Sequence, residues 1–220
     1  MASGAMAALA LVAIVVIASL VFAQDPYNPT GTYVNSFPAL GSATTPANGL
    51  SLRLSINATT IMSGQTVNVT VGDYNTLRTM ENFSVLNSWP LKGLAVGPCG
   101  TLNEPFGVAV FRGYYAASSI SSAKALQLFA PGIYTCPAIL SGITQYSFYP
   151  QSSVAQIWGS CSPEPCPFRT NPQSIRVNGF WNTVPIVQYS YHTELTPGVY
   201  TVAAGDEWGQ LVLLYFVVKS

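Results

Sequence analysis

From Leu50 onward, apolar and polar residues alternate. Leu50, Leu52, Leu54 and Ile56 are separated by Ser51, Arg53 and Ser55. After a turn at Ser63-Gly64-Gln65, Val67, Val69 and Val71 alternate with Thr66, Asn68 and Thr70. A period of two marks strands with one buried and one wetted face, and this pair predicts the opening of a sandwich. At the other end, Thr196-Pro197-Gly198 predicts a turn, 199–203 a strand and 205–209 a hairpin loop. The run 211–218 is apolar on both faces, which predicts a strand that is central or covered. Its β-branched and aromatic residues argue against a helix. Weaker strand candidates lie at 107–114, 125–129, 145–149, 154–158 and 174–181, punctuated by Pro98, Pro105, Pro131-Gly132, Pro150 and the prolines of 163–167. Residues 77–82 predict one helical turn. The pattern as a whole predicts an all-β sandwich.

The N-terminus follows another rule. Residues 5–23 are apolar except for Ser19, and as a helix they would span roughly 28 Å, close to the hydrocarbon thickness of a bilayer. Val21-Phe22-Ala23 before Gln24 suits signal-peptide cleavage. The length of the run, and the absence of Lys or Arg before it, suit a retained membrane anchor. A pilin-like cut near Gly4 lacks its basic residue, since Ser3 stands there. All three place the remainder outside the cytoplasm. Residues 24–49, rich in Pro, Gly, Ser and Thr, predict a stalk; within it 32–37 is a candidate donor strand for a neighbouring subunit. The expected organisation is a leader at 1–23, a stalk at 24–49 and a β-sandwich domain at 50–220 with an insertion at about 90–172.

Charge changes the picture. Eight basic and eight acidic residues give zero net charge, and charged residues make up only 7% of the 220, against about 25% in an ordinary globular chain. With no basic run, nucleic-acid binding is not expected. An aromatic content of 12% argues against disorder. A surface so poor in charge points to glycans, to packing in a larger assembly, or to an acidic habitat where surface carboxylates are protonated.

The four cysteines are Cys99, Cys136, Cys161 and Cys166. In an exported chain they predict disulfides, with Cys99–Cys136 and Cys161–Cys166 favoured among three possible pairings. The second pair would close a short loop already bent by Pro163 and Pro165. A zinc site would need two closely spaced pairs, and only Cys161 and Cys166 are close. Asn57, Asn68 and Asn82 head glycosylation sequons, with Asn68 expected on the polar side of its strand.

The segment Pro197-Gly198-Val199-Tyr200-Thr201-Val202-Ala203-Ala204-Gly205-Asp206-Glu207-Trp208-Gly209 resembles the last hairpin of many secreted immunoglobulin-like domains, and Ser63-Gly64-Gln65-Thr66-Val67 resembles their second-strand entry. With the leader and the low charge, the chain is similar to uncharacterised surface proteins of archaea. The resemblance covers about 40 residues and implies an immunoglobulin-like, Greek-key β-sandwich with a disulfide-stapled insertion, not an activity. The middle, 89–172, is too long for a minimal immunoglobulin domain and carries all the cysteines.

Candidate chemistry is sparse. His192 is the one histidine, so a cupredoxin copper site, which needs two, is excluded. A hydrolase triad through His192 finds no nucleophile elbow. Asp206 and Glu207 are adjacent and would point to opposite faces of a strand, so a turn role is expected for them rather than paired-carboxylate hydrolysis. No run of carboxylates predicts a calcium site. Trp89, Trp158, Trp181 and Trp208, with Tyr114, Tyr115, Tyr146, Tyr149, Tyr189 and Tyr191, are candidates for core packing or for a sugar-binding platform. The expectation is a non-catalytic extracellular surface protein, structural or adhesive, with no catalytic residues, cofactor or metal. The alternative is a carbohydrate- or protein-binding module, and an exported hydrolase ranks last. Self-assembly, surface glycans or proteins are the expected partners, with membrane contact through the leader if it is uncleaved.

Overall fold

In the computed structural model the described residues are 40–42, 49–132, 134, 136, 142–161, 163–184 and 189–220. The leader and most of the predicted stalk, including the donor-strand candidate, lie outside them. In chain order the strands are β1 (Leu40–Ser42), β2 (Leu50–Ile56), β3 (Thr60–Met62), β4 (Val67–Asn75), β5 (Glu81–Ser84), β6 (Phe106–Arg112) and β7 (Gln145–Phe148). They continue with β8 (Ala155–Trp158), β9 (Arg169–Thr170), β10 (Gln173–Val177), β11 (Gly179–Val184), β12 (Tyr189–Glu194), β13 (Gly198–Asp206) and β14 (Leu211–Lys219). The fold is all-β; the one helical element among the described residues is a 3-10 turn at Ile120–Ser122.

Two four-stranded sheets, ordered β1-β2-β4-β10 and β3-β14-β13-β6, share one core. Leu52 and Leu54, with Val67, Val69 and Val71, face Val108, Val110, Val202, Leu214 and Phe216 across it. This is the period-two alternation of the sequence: the apolar set points in, while Arg53 and Asn68 point out. β2 and β4 pair antiparallel as expected, from Leu50↔Asn75 to Ile56↔Val69. Between them the chain leaves the first sheet. β3 lies parallel to β14 in the second, and the turn returns at Gly64, whose φ of +81° favours glycine.

β14 sits between β3 and β13, and its second face is covered, as the unbroken apolar run predicts. Leu211 and Leu213 join Phe111 and Ala203 under Leu91, Leu94 and Ile120. A registered glycine pair, Gly205↔Gly107, makes room for that cover. A Cβ on Gly205 would lie 2.7 Å from both Leu94 and Pro90, and one on Gly107 would lie 2.9 Å from the Ala95 nitrogen. A third sheet, β5-β7-β8-β9, packs its own cluster of Phe83, Tyr146, Phe148 and Ile157 against Leu50 and Trp208.

Several local expectations are corrected. Segment 125–129 forms no strand: Leu126 N–H donates to Val110 O and Trp181 N–H donates to Gln127 O, single bonds to two different neighbours rather than a ladder. Segment 174–181 divides at Asn178 into β10 and β11, which belong to different sheets. No helical turn forms at 77–82. The last two of these residues open β5, which buries only Phe83, too few apolar positions to show a period. Leu40–Ser42, inside the predicted stalk, pairs with β2 as an edge strand. The disulfides are Cys99–Cys136 and Cys161–Cys166, with Cα separations of 5.8 and 5.0 Å. No cysteine is free, which removes the zinc alternative.

Candidate functional site

The predicted site residues scatter. Asn57, Asn68 and Asn82 are all exposed. Asn57 Oδ1 accepts the Asn68 N–H at 2.7 Å, and Asn82 Oδ1 accepts the Ser147 hydroxyl at 2.6 Å. The aromatic candidates do not form one platform. Trp208 is wedged among Phe83, Tyr146 and Phe148, with its indole N–H on Ser84 O. Trp89 and Tyr115 pack under the second sheet, and Trp158 N–H donates to Ser147 Oγ. Tyr149 lies under Arg169, and Tyr114 stacks on Tyr215.

What remains is a ribbon. β11 and β12 pair only with each other, from Gly179↔Glu194 to Val184↔Tyr189. Residues opposite one another share a face, so Tyr189, Tyr191 and Phe180 lie on one side, and Trp181 and His192 on the other. Phe180 roots the first side in the main core. Tyr189 and Tyr191 stand clear, 60% and 43% exposed, their rings stacked with centroids 6.2 Å apart. The exposed His192 sets its ring edge-on to Trp181 at 5.5 Å and covers Gly179, where any Cβ would strike that ring.

A second constellation was invisible as a motif. Asp73 of β4 feels the charges of Glu104, in the loop before β6, and of Asp206 and Glu207, in the β13–β14 hairpin. Asp73 is fully buried, and neither carboxyl oxygen has a hydrogen-bond partner. Glu207 is 4% exposed, with Oε1 unpartnered. Glu104 Oε1 accepts from Gln173 at 2.9 Å, while its Oε2 is buried without a partner. Asp206 alone is well bonded: Oδ1 accepts the N–H groups of Trp208 and Gln210, and Oδ2 accepts the Gln210 amide at 2.7 Å. Gln210 Oε1 in turn accepts the Leu52 N–H at 3.3 Å, tying the hairpin to β2. The turn role expected of Asp206 is therefore met. Glu207, expected on the opposite face, is buried as well.

Burial raises every one of these acids. It pushes Glu104 up to about 7 against hydrogen bonds from the Gln173 side chain and the Asn171 backbone. Glu207 rises to about 7, with the Asp206 charge adding to burial. Asp206 rises only to about 6, because the Gln210 and Trp208 N–H groups favour its charged form. Asp73 is held well above the usual carboxylate range by burial first, then by Asp206, Glu207 and Glu104. Burial and three of these acids also raise Tyr146, whose hydroxyl donates to Asn103 O at 3.2 Å.

The signal for Asp73 was present in the alternation. Continuing the inward set Val67, Val69, Val71 by twos reaches Asp73 and Asn75, and continuing Val202, Ala204 reaches Asp206. Among the described residues no group of three or more His, Cys, Asp or Glu is placed to hold a metal ion. A cleft of about 360 Å³ lies beside the Cys99 loop, lined by residues that include Leu94, Pro98, Leu126, Phe129 and Tyr134. None of the four acids lines it. The described residues contain no helix long and apolar enough to cross a membrane. Compared with known protein families, with curated proteins and with solved structures, the chain matches none of them.

Proposed function

We propose that this is a non-catalytic extracellular surface protein, structural or adhesive, built on an immunoglobulin-like sandwich and joined to its partners through the β11–β12 ribbon. The observation that carries the function is the β12 edge. It presents stacked, exposed Tyr189 and Tyr191, and no strand pairs on its far side among the described residues. An aromatic strand with an open ladder is a template for β-augmentation. The two disulfides are consistent with an extracellular location. The buried acids do not line the cleft beside the Cys99 loop, so they offer no argument for hydrolysis.

Two features support the immunoglobulin-like reading. With β1, the third sheet and the ribbon set aside, β2-β4-β10 and β6-β13-β14 follow the order of the A-B-E and C-F-G strands of that fold. The Tyr200 hydroxyl donates to Thr196 O at 2.9 Å, the backward bond of a tyrosine corner at the start of the F strand. β7, β8 and β9 of the third sheet lie in the chain between β6 and β10, where strand D would fall.

The stacked tyrosine pair also favours a second reading, a glycan-binding module, because sugars stack on flat aromatic faces. One experiment addresses both. The Y189S/Y191S variant of the full chain is expected to lose self-association, or retention on the native cell surface, by at least tenfold. Its Tm should stay within about 2 °C of the parent, since exposed side chains contribute little to folding. Competition by soluble oligosaccharide points to glycans. Unchanged association of Y189S/Y191S removes the ribbon from both readings.

A further inference from the structure

We propose that the carboxyl cluster of Asp73, Glu104, Asp206 and Glu207 is a proton-held clasp: protonated, it closes the joint between the third sheet and the two-sheet core, and ionised, it loosens that joint, so the fold is built for an acidic medium. The geometry places the acids where a change of charge is felt by all three sheets. Asp73 stands on the core face of β4 opposite Leu52, and Asp206 on the core face of β13 opposite Phe106. Glu104 reaches Gln173 of β10, and Tyr146 of β7 brings the third sheet to the same place.

Among the described residues no cationic side chain acts on these acids. The groups acting on Asp73 are Asp206 and Glu207 from the hairpin and Glu104 from the loop before β6; from β7 the titratable neighbour is Tyr146. The neighbouring arginines face away: Arg53 lies 3.4 Å over the Tyr74 ring, and Arg169 lies over Tyr149. A buried carboxylate without a counter-charge is costly, and the same carboxyl as neutral acid is tolerated. Asp73 has both oxygens buried without a partner, and Glu104 and Glu207 each have one. Asp73 has lost water and gained nothing that would favour its anion, while Glu104 keeps hydrogen bonds from Gln173 and the Asn171 backbone that only partly offset burial.

The sign of the pH dependence follows. Each acid binds its proton more tightly in the folded chain than in the unfolded one, where Asp and Glu titrate near pH 4. The folded state therefore holds more protons between about pH 4 and 7, and stability falls with rising pH across that window. The contribution is complete below pH 4. It is lost as pH rises through about 6 for Asp206 and about 7 for Glu104 and Glu207. An ordinary domain, whose carboxylates are stabilised as anions, behaves in the opposite way.

The test is the Tm of the full chain from pH 3 to 8, for the parent, D73N and E207Q, with and without millimolar calcium. The parent Tm is expected to fall by at least about 5 °C between pH 4 and 7.5. D73N, which keeps the shape and cannot ionise, should lose half of that slope or more, and E207Q serves where D73N does not fold. A parent Tm that is flat or rises over this range overturns the clasp, whatever the variants do. So does a folded D73N or E207Q that keeps the full slope. Recovery of the acid Tm at pH 7.5 by calcium also overturns it, because the cluster would then be a cation site.

Discussion

Replacing Tyr200 with alanine lowers the stability of the chain by about 4 kcal/mol and its Tm by roughly 10 °C. Tyr200 is fully buried at the start of β13 and stacks on Phe216 of β14, with centroids 5.2 Å apart and planes 11° from parallel. Truncation opens a ring-sized cavity in the one core that both main sheets share, and that core is rigid on either side. β13 is held by ladders to β6 and β14, so neither neighbour can move in to fill the space. The hydroxyl adds a separate contribution. It donates to Thr196 O at 2.9 Å, which fixes the corner at Thr196-Pro197-Gly198 where the chain enters β13. Y200F keeps the ring and loses that bond, so it is expected to cost about 1 kcal/mol. Urea unfolding of parent, Y200F and Y200A measures both. If Y200A loses less than about 1.5 kcal/mol, the shared core is not the seat of stability. If Y200F loses as much as Y200A, the corner outweighs the packing.

The strands that can be recognised in the sequence are those with an amphipathic face of several residues. β2, β4, β13 and β14 each bury a stripe of aliphatic and aromatic side chains, and the alternation or the unbroken run shows it. β3, β5 and β9 bury only one residue each, Ile61, Phe83 and Thr170. One inward side chain sets no period, and these strands exist because a neighbouring edge accepts their hydrogen bonds. β12 buries none of its residues and is held by pairing with β11 alone. The division at Asn178 is tertiary in the same sense, because 174–181 has continuous strand character and only the sheets decide where it is cut. The cysteine pairing was accessible because loop length and proline bends constrain it locally.

The carboxyl cluster shows what local reading misses. Asp73 and Glu207 are 134 residues apart in sequence, so no motif joins them. Each alone looks like an ordinary acid at a strand end. Only the parity of the alternation betrays Asp73: it occupies an inward position where Val67, Val69 and Val71 have set the rule. A low charge content makes such a breach more informative, since only eight acids exist in the chain and four of them converge here. The sparse charge of the surface and the counter-charge-free acids of the interior favour the same environment, one in which carboxyls carry protons.

Removing the Cys99–Cys136 bridge with serines is expected to cost about 4 kcal/mol, and removing Cys161–Cys166 about 2, by the chain-entropy relation for loops of their lengths. The sequence separations are 37 and 5 residues, so the first bridge takes far more freedom from the unfolded chain. Their settings reinforce the order. Cys99 lies in a tight loop where Gly97 and Gly100 exchange backbone bonds of 3.1 and 3.2 Å, and the bridge ties that loop to the segment around Tyr134 across the cleft. Cys166, by contrast, is buried in the cluster of the third sheet, and its N–H donates to Ile157 O at 2.7 Å. Packing keeps that short loop in place after the bridge is gone. Urea midpoints of C99S/C136S and C161S/C166S, compared with the parent, test the order. A larger loss for C161S/C166S would mean that native packing in the third sheet, and not the freedom of the unfolded chain, sets what each bridge contributes.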